Sequence, residues 1–188
     1  YDVGFFDDDT LYAYNIFGMW FVDFNTGEQR RISADAIDFY KNCDENGQDY
    51  FEWVYTPVLV GGKLYYSGIR NKNYESKIYC ADLNGETELD VEGNAEMTAA
   101  VPGRGFVYTT KEQSGDQVWY YDVKNASSDL VAGQGDYNYI LVRDGKIAYS
   151  SNRLENNELA VNVYEIDTKQ TQAFEIFNAE RDFSSEDD

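Results

Sequence analysis

The stretch Val118-Trp119-Tyr120-Tyr121-Asp122 has three relatives in the chain: Met19-Trp20-Phe21-Val22-Asp23, Ile78-Tyr79-Cys80-Ala81-Asp82 and Val163-Tyr164-Glu165-Ile166-Asp167. Aligned on the Asp, the pattern is aliphatic, Trp or Tyr, variable, mostly apolar, Asp. Successive side chains of a strand point to opposite faces. The first two positions therefore face opposite ways, and both are apolar in all four copies. That is the pattern of a strand sandwiched on both sides.

A second strand recurs ahead of the first. It reads Leu64-Tyr65-Tyr66-Ser67, Phe106-Val107-Tyr108-Thr109 and Ile147-Ala148-Tyr149-Ser150, with a weaker copy at Leu11-Tyr12-Ala13-Tyr14. Positions 64, 106 and 147 are 42 and 41 residues apart, and Asp82, Asp122 and Asp167 are 40 and 45 apart. Such spacing matches the ~40–45 residues of a four-stranded propeller blade. We expect an all-β chain of four antiparallel blades, either a complete four-bladed β-propeller or part of a larger one.

Four strands, a to d, can be assigned in each unit. The first unit (1–33) has a at Asp2–Phe6, b at Thr10–Asn15, c at Gly18–Phe24 and d at Glu28–Ile32. The second (50–92) has Phe51–Val60, Lys63–Gly68, Lys77–Asp82 and Thr87–Val91, with Asn84-Gly85 read as a two-residue hairpin. The third (93–134) has Glu96–Val101, Gly105–Thr110, Gln117–Val123 and Asp129–Ala132. The fourth (135–177) has Tyr137–Val142, Lys146–Ser151, Ala160–Asp167 and Thr171–Ile176, with Asp144-Gly145 in its a–b turn. Residues 34–49 form an insertion and 178–188 an acidic tail. The chain opens at Tyr1 already within a strand pattern, which leads us to expect a larger parent protein.

The repeat also suggests roles for its invariant residues. Trp20, Tyr79, Trp119 and Tyr164 would fill equivalent gaps between blades, since aromatics dominate core burial. The Asp closing strand c would accept backbone N–H bonds in the turn that follows.

Composition narrows the function classes. The formal charge is -20, from 15 Lys plus Arg against 35 Asp plus Glu. A nucleic-acid partner needs a basic footprint, which is missing. Direct membrane insertion is likewise not expected, because no apolar run approaches the ~20 residues of a span. The chain has no His, which removes His-based triads and His-ligated zinc. Cys43 and Cys80 could form one disulfide or remain two thiols.

The run Ile78-Tyr79-Cys80-Ala81-Asp82-Leu83-Asn84-Gly85 resembles the blade motif of TolB-type, WD40-like β-propeller repeats. Ile147-Ala148-Tyr149-Ser150-Ser151-Asn152-Arg153 is similar to their b strand and its turn. Gly62-Lys63-Leu64-Tyr65-Tyr66-Ser67 resembles bacterial extracytoplasmic propellers of the low-density-lipoprotein-receptor-like type. The resemblance implies a propeller acting outside the cytoplasm. It departs from the family where Leu154-Glu155-Asn156 replaces the usual Gly after Asn-Arg, and where no Trp-Asp pair follows strand c.

Two groups of side chains are candidate sites. Phe51, Trp53 and Tyr55 would share one face of a strand a, as would Tyr137 and Tyr139. Aromatic faces of this kind stack on sugar rings, or else pack between blades. Asp44, Asn46 and Asp49 around Gly47, and the run Asp7-Asp8-Asp9, offer oxygen ligands for calcium, without the spacing of an EF-hand. No other cofactor is expected. These readings point to a non-enzymatic binding module of a bacterial surface or envelope protein, with a protein or a glycan as partner. The alternative is a propeller glycosidase or lyase, or the propeller portion of a peptidase.

Overall fold

The computed structural model describes residues 2–15, 18–32, 53–69, 75–91, 93–153 and 158–177. The insertion 34–49 and the tail 178–188 lie outside them. Among the described residues, sixteen strands form four antiparallel four-stranded sheets, and in each sheet spatial order follows chain order. No helix occurs among the described residues. Blade 1 comprises β1 (Asp2–Phe5), β2 (Thr10–Asn15), β3 (Gly18–Asp23) and β4 (Gln29–Arg31). Blade 2 comprises β5 (Trp53–Val60), β6 (Lys63–Ile69), β7 (Ser76–Asp82) and β8 (Gly85–Glu88). Blade 3 comprises β9 (Asn94–Val101), β10 (Gly105–Lys111), β11 (Asp116–Asp122) and β12 (Ser127–Gly135). Blade 4 comprises β13 (Tyr137–Arg143), β14 (Lys146–Arg153), β15 (Glu158–Glu165) and β16 (Gln170–Phe177).

The core lies between the sheets. Met19 and Phe21 of blade 1 pack on Leu64, Tyr66, Tyr79 and Ala81 of blade 2. Tyr65, Ile78 and Cys80 of blade 2 pack on Met97, Phe106, Tyr108 and Tyr121 of blade 3. Val107, Val118 and Tyr120 of blade 3 pack on Ile147, Tyr149, Tyr164 and Ile166 of blade 4. Each blade thus has a rear face toward the preceding blade and a forward face toward the following one. Positions one and three of the strand-c motif point forward, and positions two and four point back. Burying one such side chain stabilises by about 1.5–3 kcal/mol. No cluster of this kind joins blade 4 to blade 1 among the described residues.

The turns follow local chemistry, with one shift. Gly61-Gly62 and Asp144-Gly145 each have two positive φ angles (60° and 73°, 48° and 73°), as a tight hairpin between twisted strands requires. The β7–β8 loop is Leu83-Asn84 rather than the expected Asn84-Gly85, since Asp82 already pairs with Gly85. The Asp82 carboxylate accepts the Asn84 N–H at 2.7 Å and draws the turn one residue earlier. Gly105 is needed for a different reason: a Cβ there would lie 1.9 Å from the Tyr121 carbonyl oxygen.

Three of the four recurring Asp residues close their turns as expected. Asp23 Oδ1 accepts the N–H groups of Asn25 and Thr26, both at 2.9 Å. Asp122 Oδ1 accepts those of Lys124 and Asn125 at 2.9 and 3.1 Å. Asp167 departs from the pattern and pairs with Arg104 of blade 3 at 2.8 Å. Its turn is closed instead by Thr168 Oγ1, which donates to Glu165 at 3.0 Å. Cys43 lies outside the described residues, and Cys80 is a free, buried thiol. Burial pushes its pKa up, which makes it a poor nucleophile.

Candidate functional site

Trp119 is the second residue of the motif and faces back toward blade 2. It is only half-buried, whereas Tyr164, its equivalent in blade 4, is buried. Tyr164 shares its cluster with Val131 and Ala132 of the nine-residue β12. Blade 2 offers only the four-residue β8, followed by Asp90 and Val91. A cleft of about 290 Å³ opens there, between Asp90–Val91 and the outer strands of blade 3. The expected packing wedge is therefore also a wall.

The wall is held by its neighbours on the sheet. Trp119 stacks on Tyr108 with ring centroids 6.3 Å apart and planes at 12°. Its indole Nε1 donates to Thr110 Oγ1 at 3.2 Å. Thr110 in turn donates to Gln117 Oε1 at 3.4 Å, and the Tyr108 hydroxyl donates to Ser128 at 2.8 Å. Tyr121 also lines the cleft, stacked on Phe106 at 5.0 Å and 16°. Burial first, and then Cys80, pushes the Tyr121 phenol above its ordinary pKa, so it stays neutral. Two exposed carboxylates, Asp90 and Glu112, complete the lining, which contains no Lys or Arg among the described residues. Gln134 Nε2 steadies Glu112 at 3.2 Å. An aromatic wall that shares its cleft with two carboxylates suits a cation or a polar ring. It would repel an anion.

Of the aromatic candidates on the inner strands, the side chains of Tyr137 and Tyr139 are described, and they do not share one face. Tyr137 lies half-buried edge-on against Tyr149, with centroids 5.5 Å apart, and its hydroxyl donates to the Gly133 carbonyl. Tyr139 has a φ of 55° and is 85% exposed. The register of β13 on β14 shifts between Asn138 and Leu141, so the one face expected for Tyr137 and Tyr139 is broken by a bulge. Trp53 and Tyr55 lie on β5 opposite Ile69 and Ser67, and their side chains lie outside the described residues, as does Phe51. Asp44, Asn46 and Asp49 also lie outside them.

The acidic turn of blade 1 is closed upon itself. Asp7 Oδ1 accepts the Asp9 N–H at 3.0 Å, and Asp9 Oδ1 accepts Asn25 Nδ2 at 2.7 Å. No group of three or more His, Cys, Asp or Glu is placed to hold a metal among the described residues.

No family model matches the chain, and no curated protein matches its sequence. Solved structures do match. One is an acylaminoacyl peptidase from Pyrococcus horikoshii, with a TM-score of 0.54, 15% identity, and coverage of 70% of this chain and 26% of that one. A second is the β-propeller domain of the Trilobed protease from Pyrococcus furiosus, with a TM-score of 0.51, 13% identity, and coverage of 68% and 44%. A third is a TolB from Agrobacterium tumefaciens, with a TM-score of 0.50, 15% identity, and coverage of 89% and 61%. The chain thus spans between 26% and 61% of the length of these structures. The class they define is a β-propeller.

Proposed function

We propose that the chain is a non-enzymatic binding module of a bacterial surface or envelope protein, and that it takes a basic segment of a partner protein in the cleft beside Trp119. The observation that carries this reading is the composition of the cleft: Trp119 stacked with Tyr108, sharing the lining with Asp90 and Glu112, and with no basic residue among the described residues. Trp is the best aromatic face for Lys or Arg, and the contact is worth about 0.5–2 kcal/mol. The charge of -20 adds long-range attraction for such a partner. The likeness to TolB supports both a protein partner and an extracytoplasmic location. The enzyme alternative finds less support. A glycosidase acid sits in an apolar enclosure, and both cleft carboxylates are exposed.

The test titrates the chain with short Arg- and Lys-containing peptides and with neutral oligosaccharides by calorimetry. Basic peptides should bind, more weakly as salt rises. Trp119→Ala should lower affinity about tenfold, the effect of losing ~1.4 kcal/mol. Binding that Trp119→Ala leaves unchanged would sink the proposal. So would a salt-insensitive preference for oligosaccharides.

A further inference from the structure

The rear face of blade 1 has no preceding blade among the described residues, yet it is built like the three rear faces that have one. Cross-strand register lines up two apolar rows on it. The first is Val3, Ala13 and Trp20, and the second is Phe5, Leu11 and Val22. Val3 is 60% and Phe5 72% exposed, and the other four are half-buried. Arg31 partly shields Trp20, its guanidinium carbon lying 5.3 Å from the ring centroid. In blade 2 the equivalent residues Leu64, Tyr66, Tyr79 and Ala81 are buried beneath blade 1. Blades 3 and 4 repeat this arrangement. Isolated exposed apolar residues need no explanation, but contiguous rows mark a contact surface.

The three internal interfaces also show what covers such a face. The covering blade presents an aliphatic and then an apolar residue at motif positions one and three: Met19 and Phe21, Ile78 and Cys80, Val118 and Tyr120. Blade 4 cannot supply an equivalent cover. Its forward face puts Glu165 where Phe21, Cys80 and Tyr120 stand, with Lys146 directly opposite Glu165 and Arg143 next to Lys146 across the strands. Laid on Val22 and Trp20, Lys146 and Arg143 would lose water against apolar residues and the like charge of Arg31.

We propose that the rear face of blade 1 is a blade–blade interface. Its occupant is a further four-stranded blade of this same repeat, one that carries apolar residues at positions one and three, and not the chain's own fourth blade. Val3, Phe5, Leu11, Ala13, Trp20 and Val22 are the residues that blade would cover.

Three measurements test this. In the chain alone, Phe5→Lys should leave the melting temperature within ~2 °C and lower binding of a hydrophobic dye at least twofold, as for a bare apolar site. A loss of more than ~5 °C would mean the face is already covered within the chain, and would overturn the proposal. The second measurement places a copy of residues 93–134 ahead of Tyr1, so that the Val118 and Tyr120 side of that copy meets blade 1. The extended chain should melt at least ~5 °C higher and bind several-fold less dye. Unchanged melting and dye binding would refute the interface. A Val22→Cys, Val163→Cys double variant that cross-links within a monomer would assign the face to blade 4 instead. A Val22→Cys homodimer lost on Phe5→Lys would assign it to a second copy. Either result overturns the proposal.

Discussion

Arg104, in the turn between β9 and β10, holds Asp167 of blade 4 at 2.8 Å across the blade 3–blade 4 interface. The recurring Asp has here exchanged a turn-closing role for an inter-blade one. Both side chains are substantially exposed, so the pair is screened. We expect Asp167→Asn to cost at most about 1 kcal/mol, and less in high salt. Urea unfolding at two ionic strengths measures this. A salt-independent loss would show that the pair acts through packing.

Asp122→Ala should cost more than Asp167→Ala, because two backbone N–H groups lose their acceptor. About 1–2 kcal/mol is expected for a loss of this kind. Equal losses in the two variants would contradict the division of roles between these Asp residues.

The Thr26 backbone N–H holds the Asp23 carboxyl below its ordinary value of 3.8, with the Thr26 side chain and the Asn25 N–H adding to the effect. A depressed folded pKa contributes stability that is present above the unfolded value and is lost as pH falls through the folded one. Melting temperature should therefore drop below about pH 4, and Asp23→Asn should flatten that acid limb. Parallel acid limbs in the two proteins would rule out the contribution.

The alkaline side has the opposite sign. Burial raises the phenols of Tyr65, Tyr120, Tyr121, Tyr149 and Tyr164 above the ordinary 10.0. Their contribution is complete below that value and is lost as pH rises through the raised folded values. Tyrosinate absorbance should show the buried tyrosines ionising together with unfolding. Cys80 should resist alkylation until the same transition.

Val118→Ala and Trp119→Ala should separate stability from binding. Val118 is fully buried, and its truncation should cost about 2 kcal/mol while leaving the cleft intact. Trp119 is half-buried, and its truncation should fall mainly on ligand affinity. Denaturant midpoints and peptide titrations on the same two variants check this. The opposite assignment would return Trp119 to a purely packing role.

The fold was legible because the repeat encodes it twice, once in strand b and once in strand c. Alternation at Val118 and Trp119 announced two buried faces, and both exist. The site was less legible. Exposure of Trp119 depends on how far β8 extends, which is set by the neighbouring blade and not by the motif. Tyr137 and Tyr139 are two apart, so alternation alone put them on one face, but a bulge follows from pairing geometry that sequence spacing does not reveal. The exposed rows of blade 1 were visible as composition. Only register showed that Phe5, Leu11 and Val22 lie side by side.

The hydrophobic clusters described above each belong to two blades at once. No sheet owns a core, so no blade is a folding unit in its own right. Stability then resides in the joints, much as in a linear array with nearest-neighbour coupling. Excising the second unit would erase two clusters, the one around Tyr66 and the one around Phe106, while loss of the fourth would erase only the one around Tyr120. Damage at the end of such an array is local, and damage in its middle divides it.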